Sequence, residues 1–275
     1  MTGVMASVAC GIIGSYVTVR RMNYIAGAIA HCTLGGMGVA GYLSKEHGLS
    51  FLTPLLGAVI AALLAALVIA YMLNRSTMRQ DTVLSAVWSI GMAVGIIFIS
   101  KTSGYSEDLM SYLFGDILMV SSIDLILISL LDIILVVTVM LLYHRLVAIS
   151  FDEEFARISG IHVDLYNTIF LCLVALTVVL LVQVVGIILV VALLALPAAA
   201  AGQLTSRLPA MMLVATLFCL TSTTGGLIIS YVPDLPAGAT IILIAGIIYF
   251  SCSIVDKIRN KLDSSKSTQQ LLSLD

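Results

Sequence analysis

Apolar residues fill this chain in long blocks, near 3–19, 24–43, 51–73, 82–100, 122–143, 164–183, 185–201, 209–231 and 237–255, with short polar joints between them. Blocks of roughly 17 to 25 residues are what a helix needs to cross a bilayer, where no water satisfies a broken backbone. The pattern predicts an all-α polytopic membrane protein of about nine transmembrane helices. The block 3–19 has no basic region before it and no cleavage site after it, so it reads as a retained span and not as a signal peptide. Its marginal length leaves open a start upstream of Met1. The spanning domain covers 1–256, and 257–275 reads as a short, polar cytoplasmic tail.

The joints differ in charge. Arg20 and Arg21, Arg75 and Arg79, Arg145 and Arg157, Arg207, and the Lys257 to Lys266 stretch fall in alternate joints. With the N-terminus outside and the C-terminus inside, all of the 13 Lys and Arg residues except Lys45 and Lys101 lie in the cytoplasm. That is the asymmetry expected of an inner-membrane protein.

Composition narrows the function. Charged residues make up 10% of the chain and hydrophobic ones 60%, whereas a soluble domain carries about 25% charged residues. A net charge of −2 and no basic patch beyond the cytoplasmic joints exclude nucleic acid as a partner. Cys10, Cys32, Cys172, Cys219 and Cys252 all lie in apolar blocks without a C-x-x-C pair. They read as small buried residues, not as a disulfide framework or a zinc cluster.

Two connections carry more than a turn. On the outer side, 101–116 contains a half-length apolar piece, 109–116, too short to span and read as a re-entrant or interfacial helix. On the inner side, 150–160 has a cap at Ser150 or Asp152, Glu153 and Glu154 in the first turn, and a terminating Gly160. That is how a short helix between two spans is written.

Inside the spans, ionisable groups are few, and each is costly unless it faces the bundle interior or a cavity. His31 lies among Gly27, Gly35, Gly36, Gly38 and Gly41, which let its helix approach neighbours closely. A lone buried histidine reads either as a satisfied structural residue or as a ligand. Asp132 is a single carboxylate in an apolar helix, either hydrogen-bonded within the bundle or functional.

The segment E-E-F-A-R-I-S-G, Glu153 to Gly160, resembles the E-E-x-A-x-x-x-G coupling segment of ABC importer permeases of the cobalamin and siderophore type. The remainder is similar to the metal-ion ABC permeases typified by the bacterial zinc and manganese importers. The matching strings are Arg20-Arg21-Met22 with Ala30-His31, Asp81-Thr82, L-M-S-Y-L-F-G-D-I-L at 109–118, Val185-Gly186 with L-P-A-A-A-A at 196–201, and P-x-x-P-A-G at 233–238. They follow in order along nearly the whole chain.

The resemblance implies a permease of a prokaryotic cell (inner) membrane, paired with a second copy or a paralogous permease. It would import a divalent transition metal (zinc, manganese or iron), receive it from an extracytoplasmic metal-binding protein and be driven by a cytoplasmic ABC ATPase. No cofactor is bound by this chain, the metal is cargo, and ATP belongs to the partner. The chain has no G-x-x-x-x-G-K-[ST] string, which places hydrolysis on that separate subunit. The resemblance also implies that His31 and Asp116 belong to the metal pathway, although Asp116 reads equally as a carboxylate capping the next helix. Asp152, Glu153, Glu154, Phe155, Ala156, Arg157 and Gly160 would form the ATPase-coupling segment. One departure stands out: the family commonly has Asp four residues before the intramembrane histidine, where this chain has Gly27. The other readings are a metal-chelate permease of the siderophore or cobalamin type, and an ion-coupled secondary carrier using His31 and Asp132 as a proton relay.

Overall fold

Every described element is a helix, as backbone in hydrocarbon demands. The computed structural model describes residues 2–49, 51–75, 79–102, 121–231 and 235–272, of which 75, 122–124 and 260–272 are described by backbone alone. The helices are α1 Thr2–Val19, α2 Tyr24–Glu46, α3 Pro54–Arg75, α4 Gln80–Lys101, α5 Ser122–Phe151, α6 Glu153–Ile158, α7 Val163–Val185, α8 Ile187–Leu204, α9 Leu208–Tyr231 and α10 Ala237–Leu272. Among the described residues, eight of them are long and apolar enough to span a membrane by length and composition. The 23-residue α2 is the predicted span outside that set. Its glycines, His31, Lys45 and Glu46 lower its hydropathy, and most of it, from Ile25 to Gly41, is buried among other helices instead of facing lipid.

Two helices run longer than their apolar blocks. α5 continues to Phe151, beyond the predicted end at 143, and α10 stays helical through the expected tail to Leu272. Asp116 and the half-length piece 109–116 lie outside the described residues.

Packing falls into two groups joined by a central helix. α2 packs on α3 and α4, while α1 packs on α8 and α9, and α10 closes against α8 and α9. α7 touches both groups, and α5 lies against α1 and α7. The joint between α7 and α8 is a single residue, Gly186. Gly186 has φ 82° and ψ 160°, a region essentially closed to any side chain.

Several hydroxyls in the spans are satisfied close to home, where an unpaired one in hydrocarbon is costly. The hydroxyls of Ser15, Thr177, Ser222 and Thr223 each donate to the carbonyl four residues earlier. Pro197 in α8 lacks the N–H that would reach Leu193. The Cys219 thiol on α9 donates to that freed carbonyl at 3.5 Å, the kind of neighbour rescue that lets a bilayer helix carry proline. All five cysteines are free thiols.

Candidate functional site

Glycine brings α2 and α4 into backbone contact. A Cβ on Gly35 would lie 2.6 Å from the Gly91 carbonyl oxygen, and one on Gly38 would lie 2.8 Å from that of Gly95. Neither helix tolerates a side chain there. The Cys32 thiol donates to the Val87 carbonyl across the same seam at 3.2 Å. This close approach lays the Trp88 ring of α4 on His31 of α2, with centroids 4.6 Å apart and planes 11° from parallel. His31 Nδ1 is buried without a hydrogen-bond partner. His31 lies seven residues into α2, about 10 Å along its axis.

At Gly27, one turn before His31, a Cβ would meet Trp88 Cζ3 at 3.7 Å and Val191 at 4.0 Å, which is ordinary contact. Trp88 therefore covers both His31 and the position from which a second ligand on α2 would project. Among the described residues, no group of three or more His, Cys, Asp or Glu side chains is close enough to hold a metal ion. The open groove between α3 and α4 over α2, about 460 Å³, is lined by Gly35, Gly36, Ile60, Leu64 and Ile90. It is a hydrocarbon surface with only the engaged Cys32 thiol as a soft donor.

Asp132 makes no hydrogen bond to His31: its Oδ1 is buried and unpartnered, as is His31 Nδ1, and α5 packs on α1 and α7. The nearby polar contacts belong to α1 and α5: Ser129 Oγ lies 3.4 Å from Met5 Sδ and donates to the Leu125 carbonyl.

The second candidate region lies at the basic end of the bundle. Asp152 caps α6, its carboxylate accepting the Phe155 N–H at 2.9 Å; Ser150 instead donates back to Leu146. The helix ends at Gly160, φ 79°, with Ile161 N–H returning to the Ala156 carbonyl, a terminator that suits glycine. Ala156 is buried in a small apolar cluster with Ile149, Val163 and Tyr166. The outward side of this corner shows Phe151, Phe155 and Ile158, exposed by 66%, 63% and 81%. Glu154 is exposed as well, and Arg157 pairs with Asp164 at 3.0 Å.

Behind α6 sits an ion pair that the sequence did not disclose. Arg20, just past α1, places Nη2 2.6 Å from Glu153 Oε1, with side chains 9% and 52% exposed. Its guanidinium stacks over Phe170, 5.3 Å from the ring centroid. Burial lowers the Arg20 pKa from its ordinary value and Glu153 opposes that; an arginine so paired stays charged. Asn167 on α7 donates to Glu153 and to Asn74 at the end of α3, at 3.5 and 3.4 Å.

This arrangement has known counterparts. An uncharacterized membrane protein of Synechocystis sp. is 40% identical over 249 residues, covering 90% of this chain and 86% of that one. A manganese transport system membrane protein, MntC, of Halalkalibacterium halodurans is 33% identical, covering 90% and 82%. The solved structure of PsaBC from Streptococcus pneumoniae in complex with Fab superposes with a TM-score of 0.78 at 31% identity, covering 91% of this chain and 88% of that one. With the profile of the ABC 3 transport family matching residues 1–256, this chain belongs to that family.

Proposed function

We propose that this chain is the permease subunit of an ATP-driven importer for a divalent transition-metal ion. The observation that carries the reading is His31: an imidazole with a buried, unpartnered Nδ1, on a helix largely buried among its neighbours. Neutral imidazole ligates divalent transition metals, suiting zinc and iron best, while manganese favours oxygen ligands beside it. A single imidazole on α2 makes a site that binds and lets go, as a pathway must. Asp116 belongs to this reading through its motif. The named function of the relatives, manganese and metal transport, favours the ion over a chelate.

The basic end lies in the cytoplasm in this proposal, and α6 is the handle for an ABC ATPase. The exposed Phe151, Phe155 and Ile158 supply the apolar anchors that a small interface concentrates its energy in. An extracytoplasmic metal-binding protein delivers the ion at the opposite face, and a second copy or a paralogue completes the membrane unit. Uptake by the reconstituted complex, with zinc, manganese and iron in competition, tests the reading. ATP-dependent accumulation of one of these ions is expected; no ATP-dependent uptake of any of them overturns it.

A further inference from the structure

We propose that Arg20 is a positioning residue that transmits movement of the docked coupling helix α6 to the metal-bearing helix α2. The inference rests on the reading of α6 as the ATPase handle and adds the part that connects it to His31.

Most contacts of α6 are with chain that is its near neighbour in sequence: Ile149 before it, and Val163, Asp164 and Tyr166 after it. Arg20 is different, since it meets Glu153 across 133 residues of sequence. It stands in a joint of only four residues, 20–23, between α1 and α2. That joint is closed by its own hydrogen bonds. Met22 N–H reaches the Val17 carbonyl and Arg21 N–H the Thr18 carbonyl, while Ile25 N–H begins α2 by bonding to Met22. Arg21 takes φ 55° to make this possible, in the left-handed region that ordinary residues avoid. Met22 is 3% exposed. A pull on Arg20 therefore moves the start of α2 and does not dissipate in a slack loop.

The chemistry of the pair suits a two-position contact. Arg20 is nearly buried and planar, held on Phe170 below and on a carboxylate at one edge. A buried guanidinium that loses its carboxylate is left uncompensated, so the pair either travels together or breaks. Packed elements shift between discrete arrangements and do not deform smoothly. Asn167 and Asn74 extend the same node to α7 and α3, two of the helices packed on α2.

The test uses the complete complex with its ATPase in proteoliposomes, Mn²⁺ as the transported probe, and three readouts: ATPase co-purification, hydrolysis rate, and ions moved per ATP hydrolysed. Arg20→Ala should assemble with the ATPase and hydrolyse, while ions per ATP fall on the order of tenfold, within the range of ordinary coupling energies. Glu153→Gln, at a half-exposed position that does not threaten folding, should lower the same ratio. The double variant should be no worse than the worse single one. Should Arg20→Ala not fold, Glu153→Gln decides the matter alone. Parent-level ions per ATP in the singles, or losses that multiply in the double, overturn the proposal. Phe155→Asp separates it from its premise: retained ATPase association there sinks the handle reading, whereas its loss together with parent-level coupling in Arg20→Ala sinks only the role of Arg20.

Discussion

Trp88 lies flat on His31, ring centroids 4.6 Å apart, and the same indole is the side chain nearest to Gly27. One aromatic residue thus shields the imidazole and fills the place where a carboxylate on the preceding turn would reach it. It is also the chain's single tryptophan, so the site carries its own reporter. A paramagnetic ion such as Mn²⁺ held by His31 should quench Trp88 emission in the purified protein, and His31→Ala should abolish the quenching without lowering the yield of folded protein. Emission indifferent to Mn²⁺ would place the ion elsewhere.

Gly27→Asp asks whether Trp88 excludes a second ligand. The Cβ fits, at 3.7 Å from Trp88 Cζ3, but the carboxylate beyond it competes with the indole. On the same helix face one turn away, it would otherwise join His31 in holding the ion. The single variant should therefore gain less in metal retention than Gly27→Asp combined with Trp88→Ala, which should retain the ion longer and release it more slowly. Equilibrium binding and efflux on both variants decide; equal retention means the indole does not exclude the carboxylate.

How much of this was legible follows from the range of each interaction. Span length is set by bilayer thickness, so each of the nine apolar blocks maps onto a long helix among the described residues. The cap at Asp152 and the terminator at Gly160 depend on residues a few places apart, and both sit where the local pattern puts them. Pro197 announces a freed carbonyl at Leu193, but nothing in the sequence says that Cys219 will answer it. Trp88 over His31 and Arg20 against Glu153 are meetings of distant segments, created by how glycine seams and the four-residue joint bring helices together. The glycines around His31 signalled a close neighbour; they could not say which helix it was.

The glycine seam gives a stability prediction. A Cβ on Gly35 would lie 2.6 Å from backbone oxygen of Gly91, an atom that cannot swing aside. Gly35→Ala should force α2 from α4 and cost about 1–3 kcal/mol, the usual penalty of overpacking. It should also disturb the Trp88 stack, seen as a shift in indole emission. Gly27→Ala, with only ordinary contacts to meet, should leave thermal stability near that of the parent. Equal melting temperatures for the two variants would contradict the seam as described.

Orientation can be read by chemical labelling. With the basic joints in the cytoplasm, a cysteine placed at Ser206, between α8 and α9, should react with a membrane-impermeant maleimide only from the cytoplasmic side. One at His47, after α2, should react only from outside. Of the native thiols, Cys10, Cys32 and Cys219 are buried, and the partly exposed Cys172 and Cys252 are replaced by alanine to keep the background low. Reversed labelling at either position would invert the bundle and move α6 away from any cytoplasmic ATPase.

Arg21 offers a prediction of the opposite sign. Its φ of 55° places a non-glycine residue where the α1 terminator prefers glycine. Such a conformation costs roughly 1–2 kcal/mol for an L-residue. Its hydrogen bonds, Arg21 N–H to Thr18 and Met22 N–H to Val17, are made by backbone and survive a change of side chain. Arg21 is exposed, so its removal opens no cavity. Arg21→Gly should therefore stabilise the folded protein, by less than the full strain because glycine also loosens the unfolded chain. A net gain of about 0.5–1 kcal/mol should raise the melting temperature by roughly 1–4 °C. Because Arg20 keeps its place next to the same terminator, ions moved per ATP should not fall. A lower melting temperature in Arg21→Gly would mean that the Arg21 side chain contributes more than its backbone conformation costs.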